Sequence, residues 1–579
     1  MNSLIQKLVA LASADESLIS IIRKMGRGKD SVQGITLVVD ESMVLLGVIN
    51  KGDILRFIAD GIDLEKQASE VMIQNPVTAP IFSSDNEILR AVRSQLMQRT
   101  DGEKDITRYV PLIDENRVVC DLVDMFSLLA RSPRQGQNVE IHGLGFVGLT
   151  LAVFLAGRGH FVTGIDSNAR LVKQLSQGEP HVFEPRLPEM MRHALENKEL
   201  KFLTALPSAH NRVVIIAVGT PVMDDGSACL KALKNVCETV GARLQPGDLV
   251  MLRSTVPVGT TKGFVRDLLE NASGFKAGEE FYLAFTPERT VEGHAMQELS
   301  SLPQIVGGFS SQCVEMACGF WQSVSDTTVR VDSLEAAELV KLSNNSYRDL
   351  SFAFANGLAL LADQFNLDAA KVINAANEGY PRNPIPRPSP GVGGYCLTKD
   401  PFLYAAVDSN NGHAVLSRSG RAVNSQAGHY PLKIVARYAK RLGRPLSDLS
   451  VLLVGLAFKG WPETNDLRGS TALDIGLELM DKGCKVFGYD AVVKDTLIKK
   501  TGITPVQILD AVDECDVLLI LNNHPGNLPE GLLERLQGCQ TLLFDGWSQL
   551  NRQDVERYNN ITYSTMGYMT PEINETSFE

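Results

Sequence analysis

The sequence predicts an α/β protein in which two parallel-sheet domains are joined by a long central helix and preceded by a smaller α/β module. Three observations predict this: strands alternate with helices after about residue 138, one helical pattern runs for some 30 residues, and residues 1–132 contain two similar halves. The length of 579 residues fits about three to four domains. We expect boundaries at 1–132, 138–330, 331–445 and 446–579.

Composition narrows the class of protein. The chain is 44% hydrophobic and 21% charged, as in ordinary globular proteins, and its net charge of −12 argues against nucleic acid as a partner. We find no apolar run of about 18 residues, which predicts no membrane span. The N-terminus lacks a convincing cleavage site, which argues against a signal peptide. The nine cysteines lack a C-x-x-C pair and the nine histidines are scattered. We therefore expect a cytoplasmic protein without a metal site.

The N-terminal halves end in LLGVINKGDILRFI (residues 45–58) and RVVCDLVDMFSLL (residues 117–129). Each predicts a strand, a turn and a helix that opens near an aspartate, and together they resemble a tandem pair of CBS modules. Such modules commonly bind adenine nucleotides through a glycine, a hydroxyl residue and a ribose-binding aspartate. The resemblance assigns the last position to Asp53 and Asp124, although Asn50 replaces the first hydroxyl. A nucleotide sensor and a structural or oligomerising appendage both remain open.

A polar linker, RSPRQGQN, precedes a dinucleotide fingerprint. Gly143, Gly145 and Gly148 form G-x-G-x-x-G between a predicted strand and an apolar helix, and a second strand ends at Asp166. Such glycines admit a pyrophosphate to the helix N-terminus, whose dipole favours anions. Asp166 would bind the adenosine ribose and repel a 2′-phosphate, which predicts NAD rather than NADP. The alternative is three helix-packing glycines without a ligand.

Three further strands end in polar turns: RVVIIAVGTP, DLVMLRSTVPVGTT and EFYLAFTPERTVEG. The carboxyl ends of parallel strands face the ligand crevice, so we expect site residues there. The candidates are Thr220, Ser254, Thr255, Glu288 and Glu292. Each hydroxyl could equally be a helix cap.

Residues 334–365 predict one helix roughly 45 Å long. A helix of this length should bridge domains and support a dimer. Lys341, Asn345 and Arg348 share one face of it, which is either a solvated edge or a functional site.

The glycine-rich stretch GVGGYCLTKD (residues 391–400) carries a single thiol, Cys396, and a carboxylate, Asp400. Glycines let backbone approach a ligand closely, and a lone thiol in such a loop is a candidate nucleophile. A hydride acceptor combined with a thiol suggests an oxidation that passes through an enzyme-bound thioester and ends at an acid.

Residues 450–565 predict a second parallel-sheet unit, with strands SVLLVGLAF, KVFGYD, DVLLILNN and TLLFDGW. Gly455 follows the first strand, but no full G-x-G-x-x-G is present. Lys459 and Arg468, in FKGWPETNDLRGS, are candidates for phosphate or carbonyl contacts. Alternatively, they are ordinary surface cations.

From about residue 139 to 566 the chain resembles the nucleotide-sugar dehydrogenases, which convert a UDP- or GDP-hexose into its uronic acid. The motifs that carry the resemblance occur in order: GLGFVG, GTP, STVPVGT, PERTVEG, the helix with Lys341 and Asn345, GVGGYC and FKGWPETNDLRGS. The family implies two Rossmann-like domains joined by a dimerising helix. It also implies NAD as cofactor, a UDP-sugar as substrate, and a homodimer or larger homo-oligomer.

The resemblance also implies roles. Cys396 matches the nucleophile, Asp400 the acid that assists deprotonation with ordered water, and Lys341 with Asn345 the pair that stabilises oxyanions. Glu288 matches the residue that activates water for thioester hydrolysis, and Thr220 a hydroxyl near the reacting carbon. The expected cofactor contacts are Gly143, Gly145, Phe146, Val147, Gly148, Asp166, Thr220, Thr255 and Glu292. The expected substrate contacts are Glu288, Arg289, Lys341, Asn345, Arg348, Arg382, Gly391, Gly393, Gly394, Lys459 and Arg468.

Three motifs bear on the sugar: PER, NSYRD and YPR resemble the branch that acts on UDP-N-acetylhexosamines, whereas the UDP-glucose and GDP-mannose branches usually show PEF. CLTKDP and PRPSPG depart from the CIAVDP and PGPG of the first branch. We therefore expect two NAD-dependent oxidations of a UDP-N-acetylhexosamine. The alternatives are a UDP-glucose or GDP-mannose 6-dehydrogenase and, in another class, a non-catalytic nucleotide-sensing module.

Overall fold

Four β-sheets, of three, three, eight and seven strands, organise the described part of the chain. The computed structural model describes residues 10–27, 35–83, 87–88, 91–92, 95, 109–125, 136–205, 212–223, 225–325, 327–382, 384–408 and 412–571.

The N-terminal module consists of two halves with the same topology. In each half the first strand pairs parallel with the second, and the second pairs antiparallel with the third. The halves meet through an antiparallel bridge between Val44 and Val118. The two similar halves expected from the sequence are therefore present. The elements are β1 (Ala10–Ala12), α1 (Leu18–Arg27), β2 (Ile35–Val39), β3 (Leu45–Asn50), α2 (Lys51–Ala59), α3 (Ala68–Val71), β4 (Ala79–Pro80), β5 (Tyr109–Ile113) and β6 (Val119–Asp124).

The strand register corrects the expected equivalence of Asp53 and Asp124. Ile35 pairs with Asn50 in the first half, and Tyr109 pairs with Asp124 in the second. Asp124 is therefore the counterpart of Asn50. The counterpart of Asp53 is Ser127, which lies outside the described residues. The sequence comparison was wrong because it placed Val118 at the glycine position of the CBS pattern, three residues away from the register that backbone pairing sets.

The first large domain is doubly wound. Its strand order β9-β8-β7-β10-β11-β12 places β7 and β10 side by side, and a crevice opens at their carboxyl ends. β13 and β14 extend the sheet beyond β12. The elements are β7 (Asn138–His142), α4 (Phe146–Gly157), β8 (Phe161–Ile165), α5 (Ala169–Ser176), α6 (Leu187–Glu196), β9 (Leu200–Leu203), β10 (Arg212–Ile216), α7 (Lys231–Gly241), β11 (Leu249–Leu252), a π-helical turn (Thr261–Val265), α8 (Arg266–Ser273), β12 (Tyr282–Phe285), α9 (Ala295–Ser301), β13 (Gln304–Gly308), α10 (Ser311–Trp321) and β14 (Thr328–Arg330).

The central region is helical and begins with the predicted long helix. This helix, α11, has 29 residues and is extended by a 3₁₀ turn at Asp363–Phe365. The side chain of Ser333 caps it by accepting the Ala336 N–H. It packs against α13 and α14. The elements are α11 (Leu334–Ala362), α12 (Ala369–Asn377), α13 (Tyr395–Ala406), α14 (Val415–Gly428) and α15 (Tyr430–Leu442).

The last domain repeats the doubly wound order as β17-β16-β15-β18-β19-β20, with β21 added antiparallel. Apolar clusters cover both faces of its sheet, as expected for buried parallel strands. The α/β fold with two Rossmann-like domains and a central helix is thus confirmed. The elements are β15 (Ser450–Val454), α16 (Thr471–Asp481), β16 (Lys485–Tyr489), α17 (Asp495–Lys500), β17 (Thr504–Pro505), α18 (Ile508–Ala511), β18 (Val517–Ile520), α19 (Leu532–Leu536), β19 (Thr541–Asp545), α20 (Arg552–Val555), β20 (Ile561–Thr565) and β21 (Tyr568–Met569), with 3₁₀ turns at Leu446–Asp448, Val512–Glu514 and Pro525–Asn527.

Among the described residues, none of the helices combines the length and apolar character that crossing a bilayer requires. In the same part of the chain, no group of three or more His, Cys, Asp or Glu side chains is arranged to hold a metal ion.

Candidate active site

The predicted dinucleotide loop lies at the crevice of the first domain. Gly143 follows β7 with φ +94°, and a Cβ on Gly148 would lie 1.8 Å from the Gly143 carbonyl oxygen. Both positions therefore need glycine. Around Gly145, a Cβ would meet no atom within 4 Å, so the space in front of the α4 N-terminus is open. The first N–H groups of α4, beginning with Phe146 and Val147, can bind an anion there.

Asp166 ends the neighbouring strand and is fixed beside this loop. Its Oδ2 accepts the Leu144 N–H at 3.0 Å, and its Oδ1 accepts the Asn168 N–H at 2.9 Å. Each carboxylate oxygen keeps a further lone pair for a ribose hydroxyl. Loop and carboxylate together fit the adenosine diphosphate half of a dinucleotide.

The turns after β10 and β11 are joined by one hydrogen bond. The buried Thr220 hydroxyl donates to the Thr255 carbonyl at 2.5 Å. A Cβ on the adjacent Gly219 would lie 3.7 Å from the Tyr395 hydroxyl, so this turn approaches the loop that carries the thiol. The Thr220 hydroxyl thus joins two turns instead of capping a helix.

The thiol loop is wedged against the last domain. Gly391 and Gly394 both have φ +87°, and a Cβ on Gly393 would lie 2.5 Å from the Gly469 carbonyl oxygen. A Cβ on Gly394 would lie 2.7 Å from the Phe458 ring. The glycines therefore make the loop turn, and they also let the last domain come into direct contact with it.

Cys396 is the second residue of α13, so its thiol lies at a helix N-terminus, which favours the thiolate. Cys396 keeps surface that solvent can reach, but the protein groups around the thiol displace much of its water, and this desolvation raises the pKa of the thiol. Lys341 and Lys399 lower that pKa, and Asp400 and Glu292 raise it. The site therefore sets two cations against two carboxylates around one thiol.

Asp400 is fully buried and held from two sides. Its Oδ2 accepts the Asn345 side-chain amide at 2.5 Å, and its Oδ1 accepts the Lys399 ammonium at 2.7 Å. Asn345 and the buried Lys341 lie one turn apart on α11, so this helix places both beside the thiol loop. Sequence reasoning missed Lys399, whose position next to Asp400 was the available signal.

Glu288 is buried and bound on both oxygens. Arg253, which follows β11 and is 2% exposed, donates Nε and Nη2 to Glu288 Oε2 at 3.0 and 2.5 Å. Glu288 Oε1 accepts the backbone N–H groups of Arg289 and Thr290, each at 2.7 Å. Burial raises the pKa of Glu288, but Arg253 and the Thr290 N–H outweigh burial and hold it below its usual range. Arg253 was also missed, although a charged residue at the end of an apolar strand marked it.

Glu292 lies where the two large domains meet. Its carbonyl accepts the Lys459 ammonium at 2.6 Å, its Oε2 accepts the Thr464 hydroxyl at 3.2 Å, and Arg468 lies 3.8 Å from its Oε1. Burial and the nearby Asp466 raise the pKa of Glu292. Burial also lowers the pKa of Lys459 to about 8. The structure thus brings Lys459 and Arg468 to the site.

Some expected substrate contacts face elsewhere. The Arg289 guanidinium donates to the Pro303 carbonyl, and Arg382 is exposed with its guanidinium 5.4 Å from the Tyr380 ring. Arg348 is exposed on α11 and close enough to Lys459 to lower the pKa of that ammonium further. Gly391 packs against Thr471 of the last domain and Gly428 at the end of α14.

Comparison with known proteins accounts for this arrangement. The NAD-binding, central and UDP-binding domain models of the UDP-glucose/GDP-mannose dehydrogenase family match residues 137–324, 335–426 and 452–552. The chain belongs to the UDP-glucose/GDP-mannose dehydrogenase family. It is an NAD-dependent nucleotide-sugar dehydrogenase, so the expected enzyme class and cofactor are confirmed. A CBS domain model also matches residues 6–60, which confirms the resemblance for the first half of the N-terminal module.

Several relatives of this dehydrogenase are named for N-acetylated amino sugars. The chain is 31% identical to the UDP-N-acetyl-D-mannosamine dehydrogenase of Pyrococcus horikoshii, over 67% of this chain and 90% of that protein. It is 31% identical to the NDP-N-acetyl-D-galactosaminuronic acid dehydrogenase of Ralstonia solanacearum, over 67% and 91%. The structure of the P. horikoshii UDP-D-ManNAc dehydrogenase superposes with a TM-score of 0.67 at 28% identity, covering 74% of this chain and 99% of that one.

Proposed function

We propose that this dehydrogenase oxidises the terminal CH₂OH of a UDP-N-acetylhexosamine to the carboxylate in two steps, through a thioester on Cys396. The observation that carries the proposal is the setting of Cys396. The thiol sits at a helix N-terminus, influenced by the Lys341 ammonium and by the buried Asn345–Asp400 pair, at the junction of the NAD-binding and UDP-binding domains.

The residues divide the chemistry between them. NAD, when bound, accepts the hydride of each oxidation. The Cys396 thiolate adds to the intermediate aldehyde, and Lys341 with Asn345 stabilises the oxyanion that forms. The second oxidation turns the thiohemiacetal into a thioester. Water then attacks the thioester carbonyl, and the thiolate leaves as the acid forms.

The activation of that water fits Glu292 better than Glu288. A general base needs a free lone pair and a pKa near the working pH. Glu288 has both oxygens occupied and a lowered pKa, whereas Glu292 has a raised pKa and is close enough to influence Cys396. We therefore assign the hydrolytic role expected of Glu288 to Glu292.

The choice of sugar rests on motifs and relatives. The motifs PER, NSYRD and YPR agree with relatives named for N-acetylmannosamine and N-acetylgalactosaminuronic acid. The deciding experiment is NADH formation by the purified protein with UDP-GlcNAc, UDP-ManNAc, UDP-GalNAc, UDP-glucose and GDP-mannose. A preference for UDP-glucose or GDP-mannose would overturn the assigned sugar, and no NADH with any of them would favour a non-catalytic nucleotide sensor.

A homodimer is part of the proposal. Tyr347, Phe354 and Leu361 follow one face of α11 at seven-residue spacing and are 75%, 62% and 59% exposed. An apolar stripe of this kind is typical of a surface that a partner covers. A second copy of the same helix is its natural occupant, because homo-oligomers pair identical surfaces.

We also propose that the N-terminal module binds an adenine nucleotide. Asp53 opens α2, where its Oδ2 accepts the Asn50 N–H at 3.1 Å and its Oδ1 accepts an Arg56 guanidinium N–H at 3.2 Å, and each oxygen keeps a further lone pair for a ribose hydroxyl.

The cytoplasm is the proposed location of the protein. All nine cysteines are free thiols, which supports a reducing compartment of this kind.

A further inference from the structure

We infer that Asn356 is a positioning residue for Cys396, because its buried side-chain amide holds the start of the thiol loop against α11. The effect expected on turnover rests on the proposed function. The contacts that carry the inference involve neither substrate nor cofactor.

Asn356 is fully buried on α11, and both polar atoms of its side-chain amide are bound. Its Oδ1 accepts the Ser389 N–H at 2.8 Å, and its Nδ2 donates to Asn424 Oδ1 on α14 at 2.9 Å. Asn424 Nδ2 donates to Asp349 Oδ1 at 2.8 Å, and the same oxygen accepts Arg421 Nη1 at 2.6 Å. A chain of bonds from a guanidinium to a backbone N–H therefore fixes the direction in which each amide faces.

Ser389 passes this fixed position on to the glycine-rich stretch. Its carbonyl accepts the Gly391 N–H at 2.7 Å, and its hydroxyl donates to the Gly391 carbonyl at 2.8 Å. Glycines leave the backbone many conformations, so a loop that is rich in them needs fixed ends to keep one of these. The Ser389 N–H belongs to neither α11 nor α14, so the bond that it makes does more than hold the two helices together.

The other end of the thiol loop is held by the same helix. Asn345 donates to Asp400, four residues beyond Cys396. Asn345 and Asn356 are 11 residues apart on α11, which is about three turns and about 16 Å, so both amides face the same side of the helix. Cys396 therefore lies on a loop held at both ends by one straight element, which also carries Lys341.

The first test measures turnover of the full-length protein. Asn356→Ala leaves the Ser389 N–H without its acceptor, so kcat should fall about 10- to 100-fold while Kd for NAD holds. The substrate is whichever of UDP-GlcNAc, UDP-ManNAc and UDP-GalNAc the wild type oxidises fastest. Asn344, exposed on the same helix with its side chain bound to the Val340 carbonyl, provides the matched control: Asn344→Ala should keep kcat.

The second test reads the loop without turnover, by iodoacetamide alkylation and peptide mass spectrometry. In Asn356→Ala the Cys396 thiol should react several-fold faster than in the wild type, because a loosened loop no longer holds it among the groups that displace its water. Cys313 and Cys318, buried in the first domain, should stay as slow as in the wild type. This pattern would separate a displaced loop from a loosened fold.

The inference is overturned if kcat or the reactivity of Cys396 is unchanged in the folded variant, or if Cys313 and Cys318 become reactive together with Cys396. If Asn356→Ala does not fold by circular dichroism, Asn424→Ala replaces it: Asn356 then stays but loses its own partner, so the same changes should appear in smaller degree. Absence of NADH formation by the wild type would refute the proposed function, whereas the alkylation rates would still decide whether Asn356 positions Cys396.

Discussion

At the residue scale, the state of Cys396 is a balance of neighbouring charges and burial. Burial and the two carboxylates raise the pKa of the thiol, and two lysines and the helix N-terminus act in the other direction. The protonation state of this thiol, the proposed nucleophile, therefore depends on its neighbours.

Replacing Cys396 by serine tests the covalent mechanism. A serine hydroxyl is a far weaker nucleophile at neutral pH, so uronate formation should fall by several orders of magnitude. NAD binding, measured by calorimetry, should survive because the loop of residues 143–148 is untouched. Near-normal uronate production would refute the thioester route.

The two glutamates of the same loop should behave differently. Glu292→Gln removes the proposed base, so both oxidations should proceed and the acyl adduct on Cys396 should accumulate. Glu288→Gln should show slower turnover without the adduct. Intact-mass spectrometry after mixing with NAD and substrate measures both, and the reverse pattern would return the hydrolytic role to Glu288.

The lowered pKa of Lys459 predicts that substrate binding depends on pH. Its folded pKa of about 8 lies below the ordinary lysine value, so the ammonium is present below pH 8 and neutral above it. If Lys459 binds the anionic UDP-sugar, KM for that substrate should rise as the pH passes about 8. Lys459→Arg keeps its charge throughout and should remove the inflection; an inflection that persists would point to another group.

Asp166 tests the choice of cofactor. Asp166→Ala removes a ribose acceptor and a charge that repels a 2′-phosphate, so NAD should bind more weakly and NADP relatively better. Initial rates with each cofactor report the ratio. Unchanged discrimination would mean that another group reads the ribose.

Sequence reasoning reached the residues whose roles follow from local pattern. The glycines of the dinucleotide loop, Asp166 and Cys396 stand in short motifs that predict their own backbone setting. Arg253 and Lys399 escaped it because a buried ion pair shows only in three dimensions: Arg253 meets Glu288 across two strands and 35 residues of chain. Asp124 was misassigned for the same reason, since pairing with Tyr109 sets its place.

At the element scale, the long helix α11 serves two surfaces. One face supplies Lys341 and Asn345 to the site, and another carries the apolar stripe of Tyr347, Phe354 and Leu361. Its length and continuity were predictable from the unbroken helical pattern, whereas the exposure of the stripe depends on which neighbours pack against it. Dimerisation would therefore stiffen the same helix that carries Lys341 and Asn345.

Phe354→Glu tests the stripe. A buried, unpaired carboxylate at a helix–helix contact is strongly unfavourable, so the protein should shift from dimer to monomer by light scattering. Lys494→Glu, an exposed change in the last domain, is the control. A wild type that is already monomeric, or a variant that remains dimeric, would place the interface elsewhere.

At the scale of the whole molecule, the N-terminal module touches the NAD-binding domain through charged groups. Asp121 lies 3.2 Å from Arg186, and Glu87 lies 3.4 Å from His193 on α6. Such contacts between partly exposed polar groups contribute little stability. A regulatory ligand would act by favouring one arrangement of module and dehydrogenase over another.

Truncation separates the module from the enzyme. A chain starting near Gln137 should fold and stay active, because every element of both large sheets lies downstream. The full chain alone should change activity or oligomeric state with AMP, ADP or ATP, and Asp53→Ala should abolish the response. Calorimetry of the full chain with no heat of nucleotide binding would leave the module a structural appendage.

The wedge of glycines between the thiol loop and the last domain has a consequence for how the enzyme comes into being. The Gly394 N–H is held by the Gly469 carbonyl, and Gly393 fits only against that same carbonyl. During synthesis, the NAD-binding domain leaves the ribosome before the last domain and can fold without it. The loop that carries Cys396 is completed only when Phe458 and Gly469 of the last domain are in place, so we expect the enzyme to stay inactive until that domain has folded.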